Sequence, residues 1–192
     1  MKKVFIIHGF EGSPNGGWRP WLMAELEKLE IYACALAMPN PANPVVKEWV
    51  DEIARHVEAE GNKRDQIFLI GHSLGVPAIL RYIAKAKTQA KNQTKNIKGI
   101  ILVSGPAFKT TKKKVQSFLE KPFDFEAIKA KVKKRAVIHG DNDQAVSFDQ
   151  GEFLAKSLKA ELIIVPGGGH LNGSSGWREL PQCLEVLERW VS

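Results

Sequence analysis

The amino-acid sequence predicts an α/β fold, a three-layer α/β/α sandwich around a six-stranded, mostly parallel sheet. Three observations carry this expectation. Six short apolar runs alternate with stretches of helical periodicity. Most of the runs are apolar throughout instead of alternating, so both strand faces need cover, as in a parallel sheet between helices. Glycine-rich or polar segments follow the runs directly, and an open parallel sheet places its ligand site beyond the carboxyl ends of its strands.

The first run, residues 4–7, leads into His8-Gly9-Phe10-Glu11-Gly12-Ser13, and a helical pattern over 18–29 follows. Residues 33–38 form the second run, with helical spacing over 46–59. The third, 67–70, ends in Gly71-His72-Ser73-Leu74-Gly75 and passes into a helix over 74–87 that carries Leu74, Ala78, Ile79, Tyr82 and Ile83 on one face. A fourth run at 99–103 precedes a long connection, 104–124, and a short helix over 125–132. The fifth, 136–138, is followed by His139-Gly140-Asp141-Asn142-Asp143 and a helix over 148–158. Residues 162–165 form the sixth run, before Gly167-Gly168-Gly169-His170. A last helix over 180–190 sets Leu180, Leu184, Leu187 and Val191 on one face. Strand, helix, strand repeated in this way implies right-handed crossovers. No internal repeat or linker interrupts the pattern, so residues 1–192 are expected to form a single domain.

Composition excludes other classes. Hydrophobic residues make up 44% and charged residues 26%, unlike disordered, collagenous or disulfide-stapled chains. No apolar run approaches the roughly 20 residues that span a bilayer, and Met1-Lys2-Lys3 does not open a secretory signal, so a cytoplasmic protein without membrane insertion is expected. Cys34 and Cys183 lie in apolar settings and read as free thiols. The net charge of +7 is regional: residues 81–135 hold sixteen Lys and Arg against Glu120, Asp124 and Glu126. That stretch lacks interleaved aromatic residues and any nucleic-acid motif, so a solvated face is expected and nucleic-acid binding is not.

The strongest chemical signal is the G-x-S-x-G pattern at Gly71 to Gly75, set between a strand and a helix. A serine hydroxyl becomes nucleophilic on an exposed, strained turn with a base beside it, and Ser73 is the expected nucleophile. On such a sheet the order is serine, acid, histidine, and His170 is the histidine that follows the acid candidates. Asp143 is preferred over Asp141 as the acid. The nearer aspartate suits a turn in which its carboxylate accepts backbone N–H groups, whereas Asp143 can reach the imidazole. Oxyanion donors are expected from the backbone N–H of Leu74 and from the first loop, at Phe10 with Glu11 as the alternative. Trp18, Phe108 and Phe123 are candidate substrate contacts, and Lys112, Lys113 and Lys114 would favour an anionic ester or thioester near the mouth. No cofactor is implied, and the histidines lack metal-ligand spacing.

Together the elbow at Gly71 to Gly75, the His8-Gly9 segment, the loop around Asp143 and Gly169-His170 resemble the α/β-hydrolase superfamily. Met38-Pro39-Asn40-Pro41 with Pro44 and Trp49, and Lys121-Pro122-Phe123-Asp124-Phe125 with Ile128, narrow the resemblance to the small serine hydrolases of the retinoblastoma-binding protein 9 type. It spans residues 4–190. The resemblance implies a reduced hydrolase fold without a large lid, with Ser73, Asp143 and His170 as the triad. The expected function is that of a carboxylesterase, a serine hydrolase acting on small-molecule esters through an acyl-enzyme. An idle binding protein on the same fold, or thioesterase or peptidase use of the triad, are the alternatives.

Overall fold

Val4, Phe5, Ile6 and Ile7 are consecutive and all fully buried, which is possible only if both faces of their strand are covered. The computed structural model, which describes residues 1–60, 64–85 and 97–191, shows how. Strands β1 (Lys2–Ile7), β2 (Tyr32–Leu36), β3 (Gln66–His72), β4 (Ile97–Val103), β5 (Lys134–Gly140) and β6 (Glu161–Val165) form one sheet. Its spatial order is β2-β1-β3-β4-β5-β6, and every pairing is parallel.

Successive side chains along each strand feed two separate cores. Phe5, Ile7, Leu69 and Leu102 face helices α2 (Val46–Glu60), α3 (Gly75–Lys85), α4 (Phe125–Lys131) and α5 (Phe148–Leu158). Val4, Ile6, Ile70 and Val103 face α1 (Arg19–Lys28) and α6 (Pro181–Val191). The result is the three-layer α/β/α sandwich expected from the apolar runs. Ile164 is 48% exposed because β6 is an edge strand.

Two differences from the pattern-based reading have physical causes. Strand β5 extends past the apolar run into Lys134 and Arg135, whose long side chains reach backbone carbonyls: Lys134 that of Trp190, Arg135 those of Val132 and Leu158. Their charged heads are therefore satisfied without breaking the ladder. The connection at 104–124 contains a short 3-10 helix, Lys113–Phe118, which buries Val115 and Phe118. Most of the described basic residues of 81–135 are exposed, as expected of a solvated face, and a few turn inward. Arg81 donates to the Phe118 carbonyl and lies 4.1 Å over the Phe123 ring, and Lys131 donates to the Ile83 carbonyl. Residues 86–96 of that stretch, with the end of the helix expected over 74–87, lie outside the described residues.

Candidate active site

From β1 the chain runs to β2 on one side, and β3 then pairs on the other, so strand order reverses between β1 and β3. The crevice at such a switch point is where an open parallel sheet binds ligands. Ser73 stands there, on the tight turn between β3 and α3, with φ of +53°. A left-handed backbone at a non-glycine residue costs about 1–2 kcal/mol, which the surrounding contacts must hold. Its N–H donates to the Val103 carbonyl at 2.9 Å. Two glycines make room for the turn. A Cβ at Gly75 would fall against the Ile7 carbonyl oxygen, and one at Gly9 would sit 2.8 Å from the Ser73 Cβ. The serine is thus pressed onto the end of β1, and larger residues at either position would push it away.

His170 faces Ser73 across the loop that follows β6. Its Nε2 lies 3.0 Å from Ser73 Oγ, and its Nδ1 lies 2.7 Å from Asp143 Oδ2. With Nδ1–H donating to the carboxylate, Nε2 is left as the acceptor for the serine hydroxyl. Asp143 is buried, and its Oδ1 accepts the N–H groups of Ala145 at 2.8 Å and Val146 at 3.0 Å. Burial alone would push this carboxyl upward. The hydrogen bonds from His139 and His170, the nearby imidazole charge and the Val146 N–H outweigh it and hold Asp143 well below the usual carboxylate range. Asp141 does something different. Its Oδ1 accepts the Gly167 N–H at 2.8 Å, and Asn142 Oδ1 accepts the Gly169 N–H at 2.7 Å. Both side chains fasten the histidine's loop to the end of β5, leaving Asp143 beside the ring.

Three ring N–H groups hold the same loop from beneath. Trp18 Nε1 donates to the Leu171 carbonyl at 2.9 Å, His72 Nε2 to the His170 carbonyl at 2.9 Å, and Trp177 Nε1 to the Gly168 carbonyl at 2.7 Å. Burial, with the neighbouring His170, pushes the His72 imidazole down to about 3, so it stays neutral and donates. Sequence reasoning passed over His72 because it adjoins the serine, and Trp177 because nothing in its spacing marks it. A ring donor next to the nucleophile was the available signal for His72.

Ser73 and His170 open onto a cleft of about 730 Å³, which Phe10 and Leu74 also line. Neither the Phe10 nor the Leu74 N–H has a hydrogen-bond partner among the described residues, whereas the Glu11 N–H is taken by the Pro41 carbonyl at 2.9 Å. The three aromatic residues expected to contact substrate do not line this cleft. Trp18 is fully buried beneath α1 because its indole serves the Leu171 carbonyl. Phe123 packs into the core beneath Arg81. Phe108 is exposed and meets Phe153 edge to face at 5.2 Å. Of the three lysines only Lys112 reaches the cleft, its ammonium 4.7 Å over the Phe10 ring, while Lys114 donates to the Ala42 carbonyl. Glu11 is exposed at the rim. Among the described residues no group of three His, Cys, Asp or Glu could hold a metal ion, and no helix is long and apolar enough to cross a membrane.

Comparison with known proteins agrees with this geometry. A family model described as serine hydrolase matches residues 4–189. The YdeN protein of Bacillus subtilis is 35% identical over 192 residues, covering 100% of this chain and 97% of its own. Its crystal structure superposes with a TM-score of 0.89 at 34% identity, covering 99% of this chain and 98% of that one. Serine hydrolase RBBP9 of Rattus norvegicus is 24% identical over 195 residues, covering 99% of this chain and 96% of its own. Est1E from Butyrivibrio proteoclasticus shares the fold alone, with a TM-score of 0.71 at 16% identity over 97% of this chain and 88% of that one.

Proposed function

The chain belongs to the serine hydrolase family, and from that premise we propose that residues 1–192 act as one domain that hydrolyses small carboxylic esters through an acyl-enzyme on Ser73. The observation that carries the reading is the continuous relay Ser73 Oγ, His170 and Asp143, at 3.0 and 2.7 Å, opening onto a cleft. His170 Nε2 takes the hydroxyl proton as Ser73 Oγ attacks the acyl carbon. Asp143 keeps the proton on Nδ1 and stabilises the imidazolium without itself being protonated. The Phe10 and Leu74 N–H groups, which have no other partner among the described residues, form the oxyanion hole for the tetrahedral oxygen. Collapse breaks the ester bond, and the leaving alcohol receives the proton from His170. Water, deprotonated by the same nitrogen, then releases the carboxylic acid and restores the Ser73 hydroxyl.

Strain at Ser73 supports this role. A positive φ on a non-glycine residue at the head of α3 is an elbow that presents Oγ to the cleft and the Leu74 N–H beside it. The test is labelling with a fluorophosphonate probe, together with turnover of a 4-nitrophenyl ester. Wild type should label and turn over, and Ser73→Ala and His170→Ala should do neither while melting as folded proteins. A folded wild type that takes no label would refute the hydrolytic reading in favour of an idle binding protein. Comparing oxygen esters with thioesters and peptides then fixes the acyl-transfer class.

A further inference from the structure

Arg19 is 5% exposed, yet it lines the same cleft as Ser73 and His170. One hydrogen bond uses it, from Nε to the Ser13 carbonyl at 2.9 Å. No carboxylate lies within ion-pairing distance of it among the described residues, and neither Nη carries a hydrogen bond there. This placement is costly on two counts. Buried charges are normally paired, because leaving water without a partner takes far more free energy than one neutral hydrogen bond returns. Arg19 also begins α1, whose amino-terminal end carries positive partial charge and disfavours a cation. Its field also favours the neutral form of the buried His8 and His72 nearby. Desolvation is strong enough to push even this guanidinium down to about 10. The chain makes room for the group as well: a Cβ at Gly16 would sit 2.5 Å from Nη2.

A carbonyl brace alone would not require a charge here. Resting on the hydrolytic reading above, we propose that Arg19 is a built anion subsite and that the substrate is an ester bearing a second, ionised carboxylate, held through the free Nη edge while its ester carbonyl sits at Ser73. The planar guanidinium fork matches a carboxylate, and the substrate's negative charge supplies the partner the fold leaves out. The balance of the cleft points the same way. Its other cations are Lys112 and Arg178, and the one carboxylate lining it among the described residues is Glu11, exposed at the rim.

The experiment measures kcat/KM for matched pairs in which one ester is anionic and the other neutral. 4-Nitrophenyl hemiglutarate against 4-nitrophenyl butyrate puts the carboxylate on the acyl side; 4-acetoxybenzoate against its methyl ester puts it on the alcohol side. Wild type should favour one anionic ester by about 10–100-fold, the range a hydrogen-bonded charge contributes. Exposed Lys112 and Arg178 would lose such an effect to screening, so the preference should persist at 0.5 M salt. In Arg19→Gln the anionic-to-neutral ratio should collapse by about the same factor. Arg19→Lys, which keeps the charge without the fork, should give an intermediate ratio and serves if the glutamine variant does not fold. A fluorophosphonate-labelled wild type that shows no preference in either pair overturns the subsite while leaving the hydrolytic reading intact. So does a preference that survives in Arg19→Gln or vanishes with salt. A folded wild type that neither labels nor turns over any of the four esters refutes the hydrolytic reading itself.

Discussion

Substituting His72 by Gln tests how the loop carrying the candidate base is held. The imidazole is 5% exposed, donates Nε2–H to the His170 carbonyl at 2.9 Å, and lies edge-on to Trp18. Burial and the adjacent His170 move its protonation from an ordinary 6.5 to about 3. Across that window the unfolded chain binds a proton that the folded chain refuses, so stability rises with pH and is lost on acidification. At pH 5 the loss from this one group is about 2 kcal/mol, growing to about 5 kcal/mol at the bottom of the window. Glutamine keeps an N–H donor for the His170 carbonyl but cannot titrate. The assay is urea unfolding of both proteins at pH 7 and pH 5, read as free energies. Wild type should lose about 2 kcal/mol more than His72→Gln between the two pH values. His8, also pushed down by burial, contributes equally to both proteins and drops out of the comparison. Equal losses would show that His72 is protonated in the folded state, and the account of a neutral donor beneath the loop would fail.

Asp143→Asn should lower kcat on a 4-nitrophenyl ester by on the order of 10⁴-fold, because an amide no longer fixes the proton on His170 Nδ1. Since Asp143 is held below its ordinary value, it contributes stability above about pH 4 that disappears as pH falls through its folded value; the acid limb of a thermal-melt series should be flatter in the variant. Gly75→Ala forces a methyl group onto the Ile7 carbonyl and should cost about 1–3 kcal/mol by urea unfolding, with fluorophosphonate labelling of Ser73 reduced as the turn shifts. A variant of wild-type stability that labels normally would contradict the close approach of the head of α3 to the end of β1.

Much of this was legible in the chain because the signals were local. Uninterrupted apolar runs such as Val4 to Ile7 announced a doubly covered strand, and strand-end segments announced the site. The Gly71 to Gly75 pattern located Ser73 because the same five residues build the turn and the chemistry. Distance along the chain hid the rest. Trp18 reads as an aromatic beside the first loop, and only the fold reveals that its indole serves a carbonyl 153 residues away. Phe123 and Phe108 look like lining for the same reason, whereas one packs beneath Arg81 and the other against Phe153. Arg19 is the opposite case: one cation among 28 in the sequence, distinguished by a burial that no spacing encodes.

Because the loop around His170 hangs from Trp18, His72 and Trp177, the candidate base is located by parts of the chain synthesised long before it as well as just after it. An isolated half of the protein, or a nascent chain whose last strand has not yet docked, lacks contacts that seat the candidate base. The same suspension sets the order of failure under stress. Loosening α1 from the sheet draws the Trp18 indole off the Leu171 carbonyl and slackens the imidazole while the central strands still pair, so loss of turnover should run ahead of loss of secondary structure as denaturant is added. Turnover would therefore report whether this loop is seated, and a screen for variants that stay active under denaturant would select for its tighter anchoring.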